Sequence, residues 1–279
     1  MSKDSSRAAI STRFMRVFFM ASLFVGSAMP ADAQIDYKDD SSLITNNIWF
    51  VGAGAGAGWG KLPDSYTTVS NGAPDSPPYN QDLYTINNPS FSLMLQFNAG
   101  YRWQHDNAYV PFSSLYVQYR HYNDGNVTGR IYQYSLPDFL NYNYQMSYMA
   151  DLVTVNGKLD LGQNKRVMPY IAGGVGAIIN RVEDYKENQT ANVTPRISPG
   201  FASTSSTHFA ATLGVGVDII LTRNVWMTLG YDHVFQTSLP NASGVNAWTG
   251  TSLRLGDVRL DTVFLNISAR FPDTFRLNS

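Results

Sequence analysis

The sequence predicts an all-β fold: an eight-stranded antiparallel transmembrane β-barrel with four long extracellular loops and short periplasmic turns. Three observations carry that expectation. Apolar and polar residues alternate with period two in segments longer than the five or six residues usual for a soluble strand. The connections between these segments switch regularly between long and short, as in a barrel whose loops are segregated to opposite rims. No apolar run in the mature chain approaches the roughly 18 to 20 residues that a spanning helix needs.

Composition narrows the function classes. The 279 residues are 44% hydrophobic and only 15% charged, with a net charge of −1, 22 glycines and no cysteine. Mean hydropathy is −0.19. A phosphate-binding surface needs a clear excess of Lys and Arg, so nucleic acid is not an expected partner. Without cysteine there is no disulfide framework and no thiolate metal site. Lys3, Arg7, Arg13 and Arg16 precede the apolar run Val17–Ala28, and Ala31-Asp32-Ala33 supplies small residues for cleavage. Residues 1–33 therefore read as a secretory signal, 34–46 as an N-terminal segment, 47–271 as the barrel and 272–279 as a tail.

The first strand is expected over Asn47–Trp59, where Trp49, Val51, Ala53, Ala55, Ala57 and Trp59 alternate with Phe50 and four glycines. At roughly 3.3 Å per residue and a tilt of about 40°, the two tryptophans stand about 25 Å apart along the membrane normal, the height of a lipid-facing band. A flexible Gly/Ala linker has no reason to carry tryptophan at both ends in one register. Phe91–Trp103 follows, with Phe91, Leu93, Leu95, Phe97, Ala99, Tyr101 and Trp103 on one face. Phe112–His121 places Leu115, Val117 and Tyr119 opposite Tyr116, Gln118 and Arg120. Gln145–Leu159 is ambiguous, because Asp151 shares a face with Met149, Val153 and Val155, and a bulge there would reconcile its halves. Val167–Ile179, His208–Leu221, Val225–Tyr231 and the run from Thr262 to Phe271 complete the eight.

Trp49, Trp59, Tyr101, Trp103 and Tyr231 are the expected aromatic girdle at the two membrane interfaces. The long connections are Gly60–Ser90, Asn123–Tyr144, Arg181–Thr207 and Gln236–Asp257, and the short ones are Gln104–Pro111, Asp160–Arg166 and Thr222–Asn224.

Three stretches carry a resemblance: VMPYIAGGVGAII at 167–179, HFAATLGVGVDIILTRNVWMTLGYDH at 208–233 and VFLNISARF at 263–271. In order and spacing the chain resembles the small outer-membrane barrels of the OmpA-like and opacity-protein type, a surface-antigen family, over almost the whole mature length. The resemblance implies a bacterial outer-membrane location, contact with membrane lipid and lipopolysaccharide, and escort by periplasmic chaperones to the barrel-assembly machinery. It also implies a terminal assembly signal, for which Val263, Leu265, Ile267 and Phe271 fit; Pro272 interrupts pairing, which favours Phe271 over Phe275.

The interior of an eight-stranded barrel is only wide enough for side chains. Arg102, Arg120 and Arg270 with Asp151, Asp218 and Asp232 are the expected lumen cluster, and balanced charges there imply a plug. Catalytic chemistry finds little support. The four histidines are scattered, and no nucleophile elbow or phosphate loop is present. Arg120-His121-Tyr122-Asn123 resembles the His-Tyr-Ser-Asn segment of barrel lipid A deacylases, but Asn123 stands where the nucleophile would be. No cofactor or metal is expected. Function then belongs to the loops, where Tyr132, Tyr134, Phe139 and Tyr142 are the candidates for contact with a host or cell-surface ligand. The leading expectation is a non-enzymatic structural and surface-interaction protein. The alternative is a small porin-like channel of low conductance.

Overall fold

The computed structural model describes residues 48–61, 65–70, 81–87, 92–162, 166–195 and 200–271. The expected secretory signal, N-terminal segment and tail with Phe275 lie outside the described residues, as do Asn47 and Phe91.

Eight antiparallel strands form a closed ring. They are β1 (Ile48–Lys61), β4 (Ser92–Gln104), β5 (Phe112–Tyr132), β6 (Leu140–Asp160), β7 (Val167–Gln189), β8 (Thr204–Ile220), β9 (Val225–Ser238) and β12 (Asp257–Arg270). The ring runs β1-β4-β5-β6-β7-β8-β9-β12, and β12 returns to β1 from Phe50↔Arg270 to Lys61↔Arg259. Closure satisfies the backbone groups that an open edge would leave bare in lipid. Among the described residues, helix is confined to single 3₁₀ turns.

Alternation sets which side each residue faces. Trp49, Leu95, Phe97, Leu115, Val117, Val153, Val155, Ile171, Val175, Leu213, Val215 and Val263 are exposed on the outside of the ring. An exposed apolar belt of this extent has no place in water and a ready one in hydrocarbon. Its lower margin is an aromatic ladder, with Trp49 on Tyr101 and Tyr101 on Trp103, each at 5.0 Å between ring centres. Trp59 and Tyr231 stand outward at the opposite margin. The protein is thus a transmembrane β-barrel, with its short turns gathered at the rim expected to be periplasmic. On β1 the inward face from Gly52 to Gly58 is glycine because side chains and backbone of neighbouring strands occupy the space there. A Cβ on Gly52 would lie 2.5 Å from Asn98 Oδ1, and one on Gly58 2.9 Å from the Tyr122 ring.

Two features depart from the expected layout. The connection Asn123–Tyr144 is not a loop: β5 and β6, 21 residues each, continue as a paired ladder far beyond the apolar belt and turn only at 133–139. β7 is longer still, at 23 residues. The first long connection contains a hairpin, β2 (Ser65–Ser70) and β3 (Gln81–Ile86), and β3 pairs with the upper end of β5 through Leu83↔Tyr132 and Tyr84↔Ile131. The fourth folds back on itself through β10 (Ala242–Ser243) and β11 (Ser252–Leu253).

Candidate functional site

Two regions hold the candidate functional groups: the lumen and the extracellular crown formed by the upper parts of β5, β6 and β7 with β2 and β3. At the periplasmic end of the lumen, β4, β6 and β8 bring Arg102, Lys158, Asp160 and Asp218 together. Arg102 Nη2 donates to Asp160 Oδ2 at 2.6 Å and Lys158 Nζ to Asp218 Oδ2 at 2.5 Å. The Thr228 hydroxyl donates to Asp218 at 2.7 Å, and the Arg102 guanidinium lies over the Phe112 ring at 4.3 Å. Higher up, Arg120 pairs with Asp232 and reaches Gln96 Oε1 at 3.3 Å. Gln118 donates to the same Gln96 oxygen at 3.1 Å. Between the two layers lies a void of about 30 Å³, bordered by Phe50, Tyr116 and Asn266 among others. That is room for one or two waters.

Arg102, Arg120, Asp218 and Asp232 face the lumen, and Arg270 sits on the inward face at its periplasmic end, opposite Phe50. Asp151 does not belong with them. It lies on the outer face, where it accepts from Tyr119, His121 and Arg181 on the flanking strands. The reason is that β6 alternates without a break from Tyr142 to Asp160, so its even-numbered residues point inward. The register shifts occur elsewhere: on β5 at Tyr122/Gly125, on β7 opposite Gln145/Ser147, and at the very start of β6, above Tyr142, opposite Ile131/Tyr132. Sequence reasoning therefore missed Lys158 and Asp160. The alternation Leu152, Thr154, Asn156, Lys158, Asp160 was the signal that could have found them.

Above the ion pairs the interior turns apolar. Met94, Tyr122, Met146, Tyr148, Leu152, Ile178, Val182 and Val234 form one buried cluster that continues into the crown. Leu239, Trp248, Leu253 and Leu255 from the fourth connection, with Phe201, complete it. Within the crown and above the membrane band, Tyr185 stacks on Tyr144 at 6.0 Å and meets Phe201 edge-on at 4.9 Å. Burial, with Tyr84 and Glu187 beside it, holds the Tyr185 phenol well above its ordinary value, and it donates to Glu187 Oε1 at 2.5 Å.

The four loop candidates separate. Phe139 is exposed, whereas Tyr132 and Tyr134 are half-buried. Tyr142 is not part of a contact surface: β6 starts at Leu140, which turns Tyr142 inward, and its hydroxyl donates to the Thr194 carbonyl at 2.9 Å. Tyr144 is buried in the same way. The β5–β6 turn is itself unusual. Tyr134 and Ser135 both take left-handed backbone angles, at φ 56° and 55°. They are held by hydrogen bonds from Tyr134 N–H to Asp82 and from the Ser135 hydroxyl to the Gln81 carbonyl. Leu136, exposed, sits beside them at the tip.

The remaining candidates line the outer wall. Val263, Leu265, Ile267 and Phe271 share the outward face of the last strand, and the Phe271 N–H donates to the Trp49 carbonyl at 3.0 Å, which ties the end of β12 to the start of β1.

No protein-family model matches the chain. No curated protein matches it. Among solved structures it is similar to neisserial surface protein A at 13% identity, with 80% of this chain and 97% of that one covered and a TM-score of 0.38. It is similar to Ail, the attachment invasion locus protein of Yersinia pestis, at 15% identity, 81% and 99% coverage and a TM-score of 0.36. The outer membrane protein OprG from Pseudomonas aeruginosa matches at 15% identity, 82% and 98% coverage and a TM-score of 0.42. These are likenesses of architecture, and the ligands of those proteins remain theirs.

Proposed function

We propose that the protein is a non-enzymatic surface-interaction protein, in which a non-conducting barrel anchors a rigid extracellular crown that contacts a host or cell-surface ligand. The observation that carries this reading is the crown itself. β5, β6 and β7 run on as strands beyond the membrane band, and the β5–β6 turn offers exposed Leu136 and Phe139 while β3 locks it. Left-handed angles at two successive non-glycine residues cost on the order of 1 to 3 kcal/mol each, and such strain persists where the surroundings fix it. A preorganised apolar tip loses little conformational freedom on binding. The sealed interior supports the non-conducting half of the reading, since ion pairs below and an apolar core above leave no continuous wet path.

The test replaces Leu136 and Phe139 together by serine in cells that display the protein. Adherence to host cells should fall at least tenfold, while migration of the unboiled protein in detergent gels stays that of the folded barrel. Adherence unchanged in a folded double variant would contradict the reading.

A further inference from the structure

Two side-chain clusters on the outer wall repeat the same chemistry on unrelated strands. On β5, Tyr119 and His121 point outward, and Asp151 of β6 accepts from the Tyr119 hydroxyl at 2.6 Å and from His121 Nδ1 at 2.8 Å. Tyr231 and His233 stand likewise on β9, and Asp261 of β12 accepts from them at 2.6 Å and 2.8 Å. The first cluster includes an arginine, Arg181, whose Nη1 donates to Asp151 at 2.9 Å; near the second, Arg259 is exposed on the same outward face two residues above Asp261.

Their height decides what they meet. Trp59, at the outer margin of the apolar belt, is the direct register partner of Asp261. Tracing the register around a tilted eight-stranded ring puts the two clusters within about one residue rise of each other and roughly half-way round from one another. Both therefore face the headgroup zone of the outer leaflet. Polar groups on the outer wall are costly toward hydrocarbon but not at that level.

We propose that each cluster binds the phosphorylated headgroup of an outer-leaflet lipid. The aspartate orients both rings, and with Nδ1 committed to it, Nε2 is the nitrogen the imidazole offers elsewhere. Arg181 commits one terminal nitrogen to Asp151, and a guanidinium has five N–H donors in a planar fork that suits phosphate oxygens. His121, His233 and Arg181 remain about a third exposed, at 31%, 29% and 39%. The inference rests on the barrel's place in the membrane and not on the adhesive reading, so either can fail alone.

Native mass spectrometry of the detergent-released full chain tests it, with lipid A, its dephosphorylated form and inorganic phosphate as probes. Two lipid A molecules should be retained, with at least fivefold preference over the dephosphorylated lipid. Arg181→Gln with His121→Gln should remove one, Arg259→Gln with His233→Gln the other, and the lipid-facing control Val153→Ala neither. The charge-conserving Arg181→Lys and Arg259→Lys should keep both. Equal retention of the two lipids by the unaltered protein would overturn the proposal whether or not the variants fold. So would unchanged stoichiometry in the folded Gln variants, or displacement of lipid A by millimolar inorganic phosphate, which would mark a site for free phosphate.

Discussion

Arg102 shows how a charge is kept inside a membrane protein. It is fully buried with Asp160 and Asp218, Lys158 completes the set, and two positive charges face two negative ones. Taking such ions from water costs several kcal/mol each, and only mutual pairing offsets that. Arg102→Met leaves Lys158 to neutralise both carboxylates and should cost about 3 to 5 kcal/mol in urea-unfolding of vesicle-inserted protein. On the other side of the wall the sign of polarity reverses. Leu213, outward and exposed, should lose about 2 to 4 kcal/mol on Leu213→Arg if it meets lipid near the midplane. Tyr109→Arg, in an exposed periplasmic turn, should stay within about 0.5 kcal/mol in the same assay. A large loss at Tyr109 or none at Leu213 would invert the assignment of lipid and water.

Elements were legible in proportion to how differently their two faces are solvated. β1, β4 and β8 cross the membrane with an apolar outer face and a small or polar inner one, so alternation alone located them. β6 was harder, because Asp151 broke the pattern on the outside. What permits a carboxylate there is Arg181 and His121 on the two neighbouring strands, and a cross-strand partner leaves no trace in a one-dimensional pattern. The upper halves of β5 and β6 were hidden for a related reason. Above the membrane their outer face meets water, so polar text such as Asn123, Asn126 and Thr128 reads as loop, while Tyr142, Tyr144 and Met146 pack inward. Close packing also constrains β9. A Cβ on Gly230 would collide with the Tyr170 hydroxyl and the Phe264 ring. Gly230→Val should destabilise the barrel by about 1 to 3 kcal/mol, as overpacking does, and lower the temperature at which the folded form is lost on gels. An unshifted temperature would mean that β9 lies further from the lumen contents than its register implies.

At the scale of the whole molecule, low charge and many aromatics follow from one arrangement. One face of each strand's membrane-crossing part meets lipid, the other packs side chains into the lumen, and the surplus tyrosines build an apolar core inside the crown. The interior is thereby closed in two different ways, by paired charges between β4, β5, β6, β8 and β9 and by side chains that the fourth connection folds over the mouth. Removing that connection's Trp248, Leu253 and Leu255 by alanine substitution should make the crown sensitive to protease while the membrane band stays resistant, since only the upper core loses its cover. Planar-bilayer recording of the unaltered protein bears most directly on the sealed barrel. A flat baseline with rare, small and brief events is the outcome the sealed lumen requires; steady, ion-selective steps of uniform size would show a continuous aqueous path and contradict it.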